Sequence, residues 1–292
     1  MGVMKRIGLG LILLMIAAGV PADADRLRVA ASIVPVQTFV ERVGGDRVDV
    51  AVVVGPDASP ATYELRARQM ADLSEATALF RIGAPFESAW LPRLRAANPD
   101  MAIVDLRERI KLRRMASHGH ADHDTHGSGG DPDPHLWTDP QNVIRVAAHI
   151  RDRLIALDPG GEAAYRANYR AFRNELEALH QALKQRFAPL SGEPFLVYHP
   201  AWGYFADAYG LEQLTVETEG KEPGARSLDR IIQRAREAGI RVVFVQDQFN
   251  KRSAARVAEA VGARVVTVDP LAADYIANMR RVGRLIAEGV AP

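Results

Sequence analysis

The chain has 292 residues, 48% of them hydrophobic, enough length and apolar content for two domains of ordinary size with proper cores. Its 37 Lys and Arg are interspersed with 36 Asp and Glu, so a net charge of +1 gives a polyanion nothing to hold and argues against nucleic acid as a partner. Cysteine is absent, which removes disulfides and thiolate metal sites and leaves histidine and carboxylate as the metal-binding chemistry available.

The first residues read as an address. Lys5 and Arg6 precede an apolar run from Ile7 to Val20, and Ala22-Asp23-Ala24 has the small-x-small form of a cleavage site. The run is short for a membrane span, and no cysteine follows it to carry a lipid. The expectation is a leader over 1–24 and an exported, soluble, periplasmic protein that is not a lipoprotein.

Short β-rich runs then alternate with helical patterns. Strands are predicted at Arg28 to Pro35, Val48 to Val54, Ala78 to Ile82 and Ala102 to Asp105, with helices at Val36 to Val43, Leu65 to Ser74 and Trp90 to Ala97. Asn142 to Leu157 and Glu162 to Phe187 follow as helices. On the second, Tyr165, Tyr169, Phe172, Leu176, Leu179 and Leu183 recur every three or four residues, an unbroken apolar stripe. A second alternating block has strands at Pro194 to Tyr198, Gln213 to Glu217, Val242 to Val245 and Arg264 to Val268. Its helices are Ala201 to Tyr209, Leu228 to Ala238 with Ser227 as N-cap, Ser253 to Val261 and Tyr275 to Glu288. The pattern predicts an α/β fold. Two similar lobes with mostly parallel sheets, 25–157 and 191–292, are joined by a long rigid helix within 158–190.

Chemistry concentrates between the blocks. Four of the eight histidines, His118, His120, His123 and His126, lie among Gly, Ala, Asp and Thr, a tract that cannot join a core and suits weak metal collection (the loop 117–130). His135 is held differently, in a turn stiffened by Pro132, Pro134 and Pro140. His199 directly follows the strand F-L-V-Y, and Asp269 directly follows V-V-T-V, each before a proline. Ligands in open α/β sheets collect beyond the carboxyl ends of strands, so these three residues make an N/N/O site for a divalent transition metal. Gln246-Asp247-Gln248 reads as a polar strand end that shapes a turn, and Glu217, Glu219 and Lys221 as solvated loop charges.

The chain resembles the solute-binding proteins of zinc and manganese ABC importers over essentially all of its mature length. The resemblance is carried by Gly55-Pro56 with Pro60 to Glu64, the His-rich insertion, Asp133 to Trp137, Tyr165 and Asn168 on the long helix, His199 with Tyr204 and Phe205, Glu222-Pro223, and Val268 to Leu271. It implies two lobes with a metal site in the cleft between them, formed by His135, His199 and Asp269. It also implies a further histidine where this chain has Ala61. Three completions are open: a water, the carboxylate of Glu64 (or, less readily, Glu222), or a loop histidine. The implied function is capture of zinc, with manganese second, by a monomer that delivers it to an ABC permease and its ATPase. Two alternatives stand beside it. One is a zinc hydrolase with an open His/His/Asp site and Glu64 as base, although H-E-x-x-H and a nucleophile elbow are both missing. The other is a stand-alone metal buffer.

Overall fold

The computed structural model describes residues 26–60, 62–115, 132–217, 223–249 and 251–291. The leader, Ala61, the His-rich tract and Glu219, Lys221 and Glu222 lie outside the described residues. Two four-stranded parallel sheets organise the rest. In the first, β1 (Leu27–Ile33), β2 (Val48–Val54), β3 (Ala78–Arg81) and β4 (Ala102–Asp105) take the order β2-β1-β3-β4. In the second, β5 (Pro194–Val197), β6 (Glu212–Thr215), β7 (Val242–Val245) and β8 (Arg264–Thr267) repeat that order as β6-β5-β7-β8. In each sheet the chain starts in the middle, moves to one edge and then crosses back, so the winding direction reverses between β1 and β3 and between β5 and β7.

Helices α1 (Val34–Gly44), α2 (Ala67–Ser74) and α3 (Pro85–Ala97) link the strands of the first sheet, and α6 (Gly203–Tyr209), α7 (Ala225–Glu237) and α8 (Lys251–Val261) those of the second. Between the sheets run α4 (Pro140–Leu157) and α5 (Glu162–Phe187), and α9 (Tyr275–Val290) closes the chain. Helices α1, α2, α4, α6 and α8 begin two residues from the sequence reading, and two starts differ by more. α3 begins five residues early, at Pro85 rather than Trp90, and runs through Pro92. α7 is capped by Gly224, which leaves Ser227 inside the first turn instead of at the cap.

The 26 residues of α5 span about 39 Å at 1.5 Å per residue, with no Pro or Gly to bend them. Its stripe is buried at Tyr165, Phe172, Leu176, Leu179, Leu183 and Phe187, with Tyr169 at the margin. The helix packs on α1 and α4 from the first lobe and on α9 and α6 from the second. One apolar cluster therefore runs without a break from Val29 and Phe39 through Phe172 to Phe195, Phe244 and Ile286. The motif residues on α5 serve this joint. Asn168 Nδ2 donates to the Val43 carbonyl (3.1 Å) at the end of α1, where Gly45 turns the chain with φ of 57°. The Tyr165 hydroxyl donates to Asp158 (2.6 Å).

Asp139 caps α4, its Oδ1 accepting from the Gln141 N–H (2.8 Å) with Pro140 at the first helical position. Burial pushes its carboxyl up to about 6 against the partial relief of that bond. A raised folded-state value means the folded chain holds the proton between about pH 4 and 6 while the unfolded chain has lost it. Stability should therefore fall as pH rises through that window. Asp139→Asn keeps the cap without the charge. Because the side chain is only half-buried, we expect the variant to gain about 1 kcal/mol over the parent at pH 7.5, closing to nothing below about pH 4. Urea unfolding at the two pH values checks it, and a variant weaker than the parent at pH 7.5 would contradict it.

Candidate metal centre

The carboxyl edge of the second sheet presents, in strand order, Glu217 after β6, His199 after β5, Gln246 after β7 and Asp269 after β8. His199 and Gln246 thus flank the crevice where the winding reverses. From the first lobe, the segment 132–135 brings His135 opposite. His199 Nε2 and His135 Nε2 lie 3.3 Å apart, with the ring planes at 76°.

Each imidazole is held from behind by a carboxylate. Asp133, fully buried, accepts through Oδ1 from both the Nδ1 (2.8 Å) and the backbone N–H (3.0 Å) of His135. Burial alone would raise the Asp133 carboxyl, but its His135 contacts and the Arg113 guanidinium outweigh that and hold it below the ordinary carboxylate range. Glu217, 4% exposed, accepts from Nδ1 of His199 at 2.8 Å. A carboxylate only accepts, so both Nδ1 atoms carry hydrogen, and in the neutral rings both Nε2 atoms present lone pairs. Two acceptors 3.3 Å apart repel unless a cation lies between them. Two imidazoles on a tetrahedral zinc, each about 2.0–2.1 Å from the ion, place their nitrogens about 3.3–3.4 Å apart. The His199 ring also stacks on Phe249 with centroids 4.5 Å apart, and its burial lowers its proton affinity despite the Glu217 bond.

The other expected ligands fare differently. Asp269 turns back on its own loop, Oδ1 accepting from the Leu271 N–H (2.8 Å), while burial and the nearby Asp247 raise its carboxyl. Its turn does reach the His135 turn, because Trp137 Nε1 donates to the Pro270 carbonyl (2.7 Å) and Tyr275 donates to the Trp137 carbonyl (2.8 Å). Glu64 is exposed. Among the described residues no three histidine, aspartate or glutamate side chains converge as a ready metal cage, so the structure joins the two imidazoles and leaves Asp269 and Glu64 apart from them. The loop histidines, Ala61 and Glu222 lie outside the described residues.

Sequence reading placed Glu217 in solvent, and that is corrected. The β6 edge carries it inward beside β5, its N–H bonded to the Tyr198 carbonyl (2.8 Å). Its position directly beyond a strand neighbouring that of His199 was the available signal. Gln246 does open a turn, its carbonyl accepting from Phe249 N–H (3.1 Å), but its side chain is 1% exposed with both amide atoms unpartnered among the described residues.

The profile of a family described as "Zinc-uptake complex component A periplasmic" matches residues 29–289. The chain belongs to the ZnuA family. A crystal structure of ZnuA superposes with a TM-score of 0.85 at 41% identity, covering 91% of this chain and all of that one. A zinc-bound ZnuA deletion mutant does so with a TM-score of 0.84 at 40% identity, covering 92% and 99%. Among curated relatives, the zinc-binding lipoprotein AdcA of Streptococcus pneumoniae is 26% identical over 276 residues, 89% of this chain and 53% of AdcA. The match spans about half the length of AdcA and of the curated Brucella ZnuA proteins. ZnuA proteins form a family of uptake components rather than enzymes, and the hydrolase reading is dropped. AdcA is named a lipoprotein, which overturns the expectation of an unlipidated, freely periplasmic protein. Among the described residues no helix is long and apolar enough to cross a membrane.

Proposed function

We propose that this ZnuA-family chain captures zinc between its two lobes, 25–157 and 191–292, and passes it to an ABC permease driven by its ATPase. The observation that carries this reading is the pair of carboxylate-backed imidazoles with Nε2 atoms 3.3 Å apart, a separation suited to one tetrahedral ion. Nitrogen donors favour zinc over manganese. His135 and His199 are the ligands we assign first, and Asp269 joins them by leaving its own turn. A water, Glu64 or one of His118, His120, His123 and His126 completes the set. The protein acts as a monomer.

Competition titration with a zinc chelator, together with metal analysis, tests the reading. One tightly held zinc per chain is expected, and binding no stronger than that of free imidazole would sink it. Glu217→Gln keeps the shape but trades an anionic acceptor for an amide that can also turn a donor toward the ring. Zinc affinity should fall about 10–100-fold, as for other carboxylates behind metal-bound histidines, with the melting temperature little changed. An unaltered dissociation constant would remove Glu217 from the centre.

Burial of His199 also has a consequence for pH. Its ring should titrate in the metal-free protein below the ordinary imidazole value of about 6.5, so zinc meets no proton there at neutral pH. NMR of the imidazole carbon-bound protons follows the ring directly, and a midpoint above 6.5 would contradict the burial.

A further inference from the structure

Arg113 belongs neither to the core nor to the pair of imidazoles, yet it touches both the carboxylate behind His135 and the helix that follows His199. Its Nη1 donates to Asp133 Oδ2 (2.9 Å), the far oxygen of the carboxylate that orients His135. Its Nε donates to Asp207 (2.9 Å) on α6, and its backbone N–H donates to the Tyr204 hydroxyl (3.1 Å), also on α6. The same hydroxyl donates to the Asp133 carbonyl (3.1 Å), and the Asp133 N–H donates back to the Arg113 carbonyl (2.9 Å). α6 follows His199 in the chain after only Pro200, Ala201 and Trp202.

The guanidinium lies directly on Gly203. A Cβ at that position would come 1.3 Å from Arg113 Nη1 and 3.0 Å from Asp133 Oδ2, so any side chain there evicts it. A planar fork that spreads its donors over two carboxylates suits this place, whereas the point charge of lysine on its flexible stem does not.

We propose that Arg113 is a positioning residue of the metal centre. By clasping Asp133 in one lobe and α6 in the other, it sets the separation of the His135 and His199 nitrogens. The inference rests on the zinc-site reading above. Without the clasp the Asp133 carboxylate is free to rotate, the His135 ring loses its fixed tautomer, and the two lone pairs no longer meet at one point.

The test compares the full chain with Arg113→Met, Arg113→Lys, Gly203→Ala and a control, Arg173→Met, which breaks an exposed pair with Glu177 on α5. Each is titrated with zinc against a chelator, and the metal-free imidazoles are followed by nitrogen-15 NMR. Arg113→Met and Gly203→Ala should each weaken zinc binding about tenfold or more, in the range seen for residues behind metal ligands. Arg113→Lys should lose less, the control nothing. The His135 signals should pass from a single Nδ1–H tautomer to a mixture in Arg113→Met. Affinity and tautomer unchanged in both Arg113→Met and Gly203→Ala would overturn the proposal. If Arg113→Met does not fold, Gly203→Ala carries the same comparison. Should the parent itself bind no zinc, the function reading falls, and the tautomer alone decides on Arg113.

Discussion

On the zinc-site proposal, replacing His199 with alanine should remove tight zinc binding. Structural zinc sites are worth about 10–16 kcal/mol, or about 2.5–4 kcal/mol for each of four ligands, so loss of one fixed imidazole costs about two to three orders of magnitude in affinity. The cost has a second part. Glu217 is left buried without the His199 N–H, its side-chain donor among the described residues, a penalty of about 1–3 kcal/mol on the fold. His199→Ala should therefore lower the melting temperature as well, and the double variant with Glu217→Gln should recover stability but not zinc. Competition titration and thermal unfolding of both variants check this pair of outcomes. A variant that binds zinc like the parent would take His199 out of the site.

The second large effect lies in the spine. Phe172 is buried on α5, its ring 6.0 Å from Phe39 of α1 and under the Arg42 guanidinium at 4.6 Å. Phe172→Ala should destabilise the protein by about 3–5 kcal/mol, the usual range for a buried phenylalanine whose surroundings cannot close over the gap. For a chain of this size that is a fall in Tm of roughly 10 °C. Since neither imidazole touches Phe172, zinc affinity measured well below the transition should stay at the parental value. A loss under 1 kcal/mol would show that Arg42 or Phe39 collapses into the space.

Strands were easy to read from the sequence because they are short apolar runs bounded by turn residues, even where β2, β4, β6 and β8 are partly exposed. β2, β4 and β7 fall where the apolar runs put them, and α5 does so to the residue, because its stripe has one period throughout. Boundaries failed where backbone sterics compete with pattern. The helix was read from Trp90, whereas burial of Phe86 and Trp90 in the core, with Pro85 at the first turn, starts α3 five residues earlier. Both histidines were legible because proline and strand ends frame them. Their supports were not. Glu217 looks like any acid in a run of loop charges, and Asp133 like half of an Asp-Pro turn, since burial on a sheet edge depends on strand order and not on local residue type. Arg113 sits in an unpatterned basic segment, and its partners on α6 are more than ninety positions away.

The unbroken apolar column through α5 bears on how an ion is gained and given up. A receptor that closes like a hinge loses rotamer freedom on each capture, about 0.5–1.5 kcal/mol for each side chain it immobilises. Here the two ring nitrogens already stand 3.3 Å apart, and α5 ties both lobes to one core. Capture should then show a small heat-capacity change, dominated by dehydration of the ion and the ring nitrogens. The same stiffness slows departure. On the zinc-site proposal, a frame that does not spring apart should release the ion as incoming donors replace His135 and His199 one at a time. The tempo of hand-over is then set by ligand exchange at the metal, and an acceptor that offers a strong first donor gains more than one that pulls on the lobes.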